Sequence, residues 1–226
     1  MDPTLGRMDA VSSRRRTLYS RNEWRSDATV HVLGTVLALA AVPVLITLTA
    51  VMRPDPWAIT GTAIYGGALI AMLVCSALCN MVGRPGWQGV LGRLDHSAIY
   101  VKIAGTYTAF VLLSGATEVP LVILLWVAAA LGVALKVLAP HRFAWVGFGL
   151  YIAMGWAGLI AGGPLFATMS LPVLVLIVTG GVIYTLGTLF YLGHRMRFHR
   201  TIWHVCVLAA SGVFFAAVLT HMVGTA

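Results

Sequence analysis

The sequence predicts an all-α, polytopic membrane protein with seven transmembrane helices, and three observations support this fold class. Hydrophobic residues make up 59% of the 226 residues and charged residues only 10%, which is too little charge to cover the surface of a soluble domain of this length. The mean hydropathy is correspondingly high, at +0.90. Seven apolar runs of roughly 18–24 residues are each long enough to cross a hydrocarbon core of about 30 Å as a helix.

The seven runs follow one another along the chain with short polar connections. They cover residues 28–51, 57–80, 97–115, 119–138, 143–161, 171–192 and 202–223. They are too long for the strands of a membrane barrel and lack the alternating polarity of such strands. We therefore divide the chain into a basic tail, residues 1–26, and a seven-helix membrane domain, residues 27–226.

Positive charge is distributed unevenly between the two ends of these runs. Six arginines precede the first run, and every Lys and Arg except Arg53 falls on the same side as this tail. Because cytoplasmic segments carry such an excess, the sequence predicts a cytoplasmic amino terminus and an external carboxyl terminus. Topology and anionic lipid then account for the net charge of +8, and we expect no nucleic-acid partner.

Polar residues concentrate at the predicted cytoplasmic ends of four spans, whereas the outer ends offer mainly Asp55, Glu118 and His221. Ionisable groups at membrane depth usually face a bundle interior or a water-filled cavity. The sequence therefore predicts one polar chamber near the cytoplasm, although the same residues would also suit helix caps or the membrane interface. The expected chamber residues are Asp27, His31, Ser76, Asn80, Asp95, His96, Arg200 and His204.

The third span differs from the others because hydroxyl groups interrupt its apolar run. These groups belong to Tyr100, Thr106 and Tyr107. A hydroxyl group in hydrocarbon needs a hydrogen-bond partner. The sequence therefore predicts that this helix faces other parts of the protein rather than lipid.

Four segments carry motifs that can be compared with known proteins. They are EWRSDATVHVLG at 23–34, LDHSAIYVKIAGTYTAF at 94–110, GGVIYTLGTLFY at 180–191 and IWHVCVLAAS at 202–211. In this order they resemble the hemolysin III family, the bacterial branch of the progestin and adiponectin receptor superfamily, which is grouped with ceramidase-like membrane hydrolases. The resemblance extends from about residue 20 to the end. It implies a seven-helix protein of the bacterial inner membrane with its amino terminus inside.

The resemblance also implies a zinc site, from which this sequence departs. Family members with intact motifs resemble zinc proteins with a histidine ending the second span (Ser-x-x-x-His) and two opening the last (His-x-x-x-His). An aspartate at the position of Asp95 assists the metal. Here Asn80 and Arg200 occupy two of the three ligand positions, and only His204 remains. A neutral amide is a poor zinc ligand and a guanidinium is not a ligand.

Two arrangements are compatible with these departures. A zinc site could be rebuilt from His204, Asp95 and His31, or with His199 from the start of the last helix. Alternatively, the Arg200 guanidinium replaces the cation and pairs with Asp95, while Asn80 and His204 complete a hydrogen-bonded network. The sequence favours this metal-free network, and we expect that removing Arg200 destabilises the protein strongly.

Three functions remain open at this point. The favoured one is an integral membrane protein that acts in membrane-lipid homeostasis or binds a small molecule, such as a lipid or fatty acid, in the chamber. The alternative is a metal-dependent hydrolase of a lipid amide or ester, with Asp95 and Ser76 as catalytic residues. A cytolytic pore, suggested by the family name, is less favoured because a secreted pore-former should be soluble before insertion. The sequence does not predict the oligomeric state.

Overall fold

The computed structural model describes residues 20–82, 86–115, 118–139, 142–193 and 196–226. Within these ranges the chain forms eight helices and no strand, which confirms the predicted all-α class. Seven of them have 18 to 32 residues, and the eighth, α6, has five. The helices are α1 (Arg21–Met52), α2 (Pro56–Met81), α3 (Gln88–Leu113), α4 (Val119–Leu138), α5 (Ala144–Ala161), α6 (Gly163–Ala167), α7 (Leu171–Leu192) and α8 (His199–Gly224).

Each predicted apolar run coincides with one long helix, but α1 and α3 begin earlier than their runs. Hydropathy marks only the apolar part of a helix, whereas these two helices continue through polar residues. A capping box opens α1: the Ser20 Oγ accepts from the Glu23 backbone N at 3.2 Å, and the Ser20 backbone N donates to Glu23 Oε2 at 2.7 Å. Residues 21–26 of the expected tail are therefore helical, and residues 1–19 lie outside the described part.

The long helices pack one beside the next, and α3 lies on the inside of the bundle. Along the chain, α1 contacts α2, α2 contacts α3, α3 contacts α4 and α4 contacts α5, while α7 packs on α8 and α8 returns to α1. The inner position of α3 follows from its further contacts with α5 and α8. Its hydroxyl groups confirm that it faces protein: the Tyr100 hydroxyl donates to the Gly147 carbonyl at 2.8 Å, and that of Tyr107 to Gly155 at 3.0 Å.

Helix α1 carries polar side chains on its inner face and apolar side chains on its outer face, which is the reverse of the distribution in a soluble protein. Its inner face carries the buried polar residues Glu23, Asp27 and His31. Its outer face exposes large apolar residues, namely Val32, Leu33, Val36, Leu37, Leu39 and Val44. Soluble proteins seldom expose such a continuous apolar face. This pattern is typical of a helix whose outer face contacts lipid.

Five of the seven long helices are long and apolar enough to cross a membrane. They are α1, α2, α4, α7 and α8. In α5 the apolar stretch is shorter, Trp145–Ile160, and α3 carries Arg93, Asp95 and Lys102. The count of seven spans therefore stays a prediction for α3 and α5.

Candidate functional site

Three buried side chains converge where α1 and α8 begin. Asp27 and His31 lie one turn apart on α1, and His204 lies on α8. The His204 Nδ1 is 2.5 Å from Asp27 Oδ1, and the His31 Nε2 is 3.7 Å from Asp27 Oδ2. The two imidazole centroids are 4.3 Å apart. One carboxylate thus lies between two imidazoles in a part of the bundle closed to solvent.

The local sequence explains why α1 and α8 meet at this point. Glu23, Asp27 and His31 are spaced by four residues, so that they share one face of α1. Glu23 Oε1 accepts from the backbone N of Phe198 at 2.9 Å, which ties α1 to the residue preceding α8. On the same face, a Cβ added at Gly34 would lie only 3.0 Å from a methyl carbon of Leu208 on α8. The motif of α1 is therefore the surface against which α8 packs.

The cluster of Asp27, His31 and His204 has the donor set of a transition-metal site. Its ligand atoms all lie within 4.8 Å of one another. Two imidazoles and one carboxylate are a combination that zinc uses in proteins. The His31 Nε2 is buried and has no hydrogen-bond partner among the described residues. These residues therefore fit a metal, while Asp27 and His204 also form a satisfied pair without one.

The two residues at the family's other ligand positions have different surroundings. Asn80 is half-buried, and its Nδ2 donates to the Ser76 carbonyl of its own helix at 2.9 Å. Arg200 is exposed and Asp95 half-buried. The carboxylate that the structure brings to His31 and His204 is that of Asp27. Metal ligation by Asp95 and its pairing with Arg200 stay predictions.

The remaining histidines of this region each have one ring nitrogen close to a backbone carbonyl oxygen. The His96 Nδ1 is 2.6 Å from the Gly92 carbonyl oxygen, one turn earlier on α3. The His199 Nδ1 is 3.1 Å from the Met196 carbonyl oxygen. In the described part of the chain, neither histidine joins Asp27, His31 and His204 in the cluster of possible metal ligands. His199 as a substitute ligand therefore stays a prediction without structural support.

A cavity of about 660 Å³ adjoins the cluster and continues along the bundle. On α3 its lining extends from Gln88 to Phe110, which corresponds to about 33 Å along the helix axis. Seven of the eight expected chamber residues line it: His31, Ser76, Asn80, Asp95, His96, Arg200 and His204. Asp27 is outside the lining but contacts two of its residues, His31 and His204. Further along, the lining becomes apolar, with Phe110, Leu165, Phe166, Met169 and Ile177.

Two residues of the site were not singled out from the sequence. Glu23 carried a usable signal, since it precedes Asp27 by four residues. Lys102 was used only in the count of Lys and Arg that predicts the orientation, whereas in the structure it lies within α3, is 3% exposed and lines the cavity. An ionisable residue inside an apolar run was itself a signal, because such residues are costly in a membrane.

Comparison with known proteins identifies one family over most of the chain. The profile of the family "Haemolysin-III related" matches residues 19–215. The "Hemolysin-3 homolog" of Bacillus subtilis (strain 168) is 34% identical over 91% of this chain and 97% of its own length. "Hemolysin-3" of Bacillus cereus is 32% identical over 89% of this chain and 92% of its own length. No solved structure matches the chain significantly.

The structure and the comparisons agree on the class of protein. The apolar helices show an integral membrane protein in contact with the lipid bilayer. The motif residues Glu23, Asp27, His31 and His204 come together at one end of the bundle. The match covers far more than half of the chain. The chain therefore belongs to the haemolysin-III related family.

Proposed function

We propose that this chain is an inner-membrane protein that binds a lipid-like molecule in its cavity and acts in membrane-lipid homeostasis. The observation that carries the proposal is the cavity itself, which is polar beside His31 and His204 and apolar beside Phe110 and Leu165. A cavity with one polar and one apolar end suits an amphiphile. Its volume of about 660 Å³ lies in the range of small-molecule sites.

The proposal includes seven spans with the amino terminus inside. The polar residues of α3 support its insertion as a span, because Lys102, Thr106 and Tyr107 line the cavity rather than an outer face. The distribution of Lys and Arg along the sequence supports the orientation. In this orientation the polar end of the cavity lies on the cytoplasmic side.

The test compares the lipid content of two matched glycine variants on α5. Gly155 is exposed and lines the cavity, and a Cβ added there meets no atom within 4 Å, so that Gly155→Leu adds a bulky side chain at the cavity wall without a clash. Gly149 is exposed on the same helix, outside the lining, and equally unobstructed. We expect mass spectrometry to find an amphiphile bound to the purified protein and to Gly149→Leu, but depleted in Gly155→Leu. Equal amounts in both variants, or none in the parent, would contradict ligand binding in the cavity.

A second function, metal-dependent hydrolysis of a lipid amide or ester, is favoured by one observation: the buried His31 Nε2 without a partner. Asp27, His31 and His204 would hold the metal, and a bound zinc would supply Lewis acidity for hydrolysis. Ser76 and Asp95, the catalytic residues expected from the sequence, line the adjoining cavity.

Metal content separates the two functions. The protein is purified with a tag that contains no histidine, and zinc is measured by elemental analysis. On the binding proposal we expect no stoichiometric zinc. About one zinc per chain, lost in Asp27→Asn and His204→Ala, together with hydrolysis of a long-chain amide that is lost in Asp95→Asn, would establish the hydrolase instead.

The names of the two relatives raise a third function, lysis of red cells. Five helices that are apolar enough to cross a membrane describe a resident of the bilayer rather than a secreted protein. We therefore expect the purified, detergent-free protein to leave red cells intact. Concentration-dependent lysis would support the function of a cytolytic pore.

A further inference from the structure

Lys102 is a buried cation of the cavity lining that lies outside the cluster of Asp27, His31 and His204. It lies midway along α3, is 3% exposed and lines the cavity. Its Nζ lies 4.7 Å from the ring centroid of Tyr184 and 4.4 Å from that of Phe214. Two aromatic faces therefore flank the ammonium group within cation–π distance.

No carboxylate within the described residues forms an ion pair with Lys102. The buried carboxylate of Asp27 contacts His31 and His204 instead. Asp95 precedes Lys102 by seven residues on α3, which is about 10 Å along the helix axis. The cation–π contacts replace only part of the hydration that the ammonium loses on burial.

The charged side chains of the cavity lining are mostly basic. They are Arg93, Asp95, Lys102, Lys136 and Arg200. Arg200 is exposed and Lys136 half-buried, whereas Lys102 is the buried member of the set. The cavity thus has an excess of positive charge, and the cation that gains most from a counter-ion is Lys102. A buried charge is stabilised strongly only when a partner of opposite sign contacts it.

We propose that Lys102 binds the anionic oxygen headgroup, carboxylate or phosphate, of the amphiphile that occupies the cavity. This inference rests on the proposed function and specifies the chemistry of its ligand. The headgroup contacts the Lys102 ammonium between Tyr184 and Phe214. The hydrocarbon chain extends along the apolar lining, where Phe110, Leu165 and Met169 lie. Electrostatic attraction and chain burial then favour the same position of the ligand.

The test uses four radiolabelled amphiphiles with the same 16-carbon chain: hexadecanol, palmitate, hexadecyl phosphate and hexadecyltrimethylammonium. Equilibrium binding to the full-length protein is measured at a fixed mole fraction of nonionic detergent. A hydrogen bond to a charged group predicts that an anion binds about ten- to a hundredfold more tightly than hexadecanol. If only palmitate or only hexadecyl phosphate binds more tightly than hexadecanol, that result identifies the headgroup. If both do, negative charge alone determines the preference.

Variants of two basic residues assign this preference to Lys102. Lys102→Met keeps a side chain of similar length, and we expect it to bind hexadecanol as the parent does while losing the preference for anions. Lys102→Arg restores a cation and should recover the preference. Arg25→Met removes one positive charge from the exposed face of α1, outside the cavity lining, and should keep it. Hexadecanol binding and thermal unfolding report whether each variant is folded.

The possible failures are distinguishable. Equal binding of alcohol and anions to the parent, or an anion preference that survives in Lys102→Met, would overturn the role of Lys102 and leave the binding cavity intact. If Lys102→Met does not fold, the headgroup series on the parent still tests whether an anion is preferred, and Lys102→Arg tests whether another cation at this position keeps that preference. Failure of all four amphiphiles to bind the folded parent would overturn both this inference and the proposed function.

Discussion

Helix α8 carries a buried histidine near each end, and the two have different partners. His204, near the start of α8, contacts the carboxylate of Asp27 and the ring of His31 beside a large cavity. His221, about 25 Å further along the helix, contacts the hydroxyl group of Ser114 at 2.9 Å. His221 is not part of the cavity lining.

This difference indicates that the His204 end is a candidate ligand site, whereas the His221 end is a structural contact between helices. At the His221 end, hydrogen bonds join helix termini: Ser114 also accepts from Thr168, and Arg53 donates to the Leu113 carbonyl and the Thr225 hydroxyl. At the His204 end, a buried ring nitrogen of His31 has no hydrogen-bond partner, and both His31 and His204 line the cavity. A buried polar group is usually satisfied, and an unsatisfied one beside a cavity is suited to a ligand.

The largest expected effect is at the His204 end. Asp27→Ala leaves His31 and His204 buried without their shared carboxylate, and we expect a loss of about 3–5 kcal/mol in the free energy of unfolding. Unfolding by denaturant in detergent micelles measures this loss. Asp27→Asn keeps an oxygen acceptor and should lose less. An Asp27→Ala protein as stable as the parent would show that the cluster does not hold α1 to α8.

A smaller effect is expected at the His221 end. Ser114→Ala removes the partner of the His221 Nε2 and of the Thr168 hydroxyl, and should cost about 1–2 kcal/mol. The amount of bound amphiphile should not change, because Ser114 is outside the cavity lining. Both quantities are measured on the same preparation. Loss of ligand at unchanged stability would show that the His221 end also takes part in binding. The two ends would then not differ in function.

The smallest effect concerns Arg200, for which the sequence predicted strong destabilisation. Because Arg200 is exposed and Asp95 half-buried, a pair between them is screened by water, and Arg200→Ala should cost about 1 kcal/mol or less. A double-mutant cycle with Asp95→Asn measures the coupling energy. Coupling near zero means that the two side chains do not pair, and a value of several kcal/mol would restore the original expectation.

Much of the fold was predictable because membrane helices are marked by continuous apolar runs. All seven long helices were located, although the sequence missed the short α6 and placed the starts of α1 and α3 too late. Hydropathy cannot detect where a helix continues into polar residues. The capping box at Ser20 and Glu23 is the kind of local signal that marks such a start.

The candidate site was predictable in part. The chamber residues were predicted from the depth at which they occur, and seven of the eight line the cavity. Which carboxylate contacts His204 was not predictable, because both Asp27 and Asp95 are expected at that depth and only packing brings Asp27 closer. The environment of Lys102 depends on the rings of Tyr184 and Phe214, which belong to two other helices and have no sequence signature near it.

The most direct test of the contrast between the two ends uses the matched variants His204→Gln and His221→Gln. Each replaces one buried histidine of α8 by a neutral amide. The bound amphiphile per chain is measured by mass spectrometry on protein purified identically from both. We predict that His204→Gln loses most of the ligand, whereas His221→Gln retains it and loses only stability. Retention by both variants, or loss from His221→Gln alone, would contradict the assignment of the site to the His204 end.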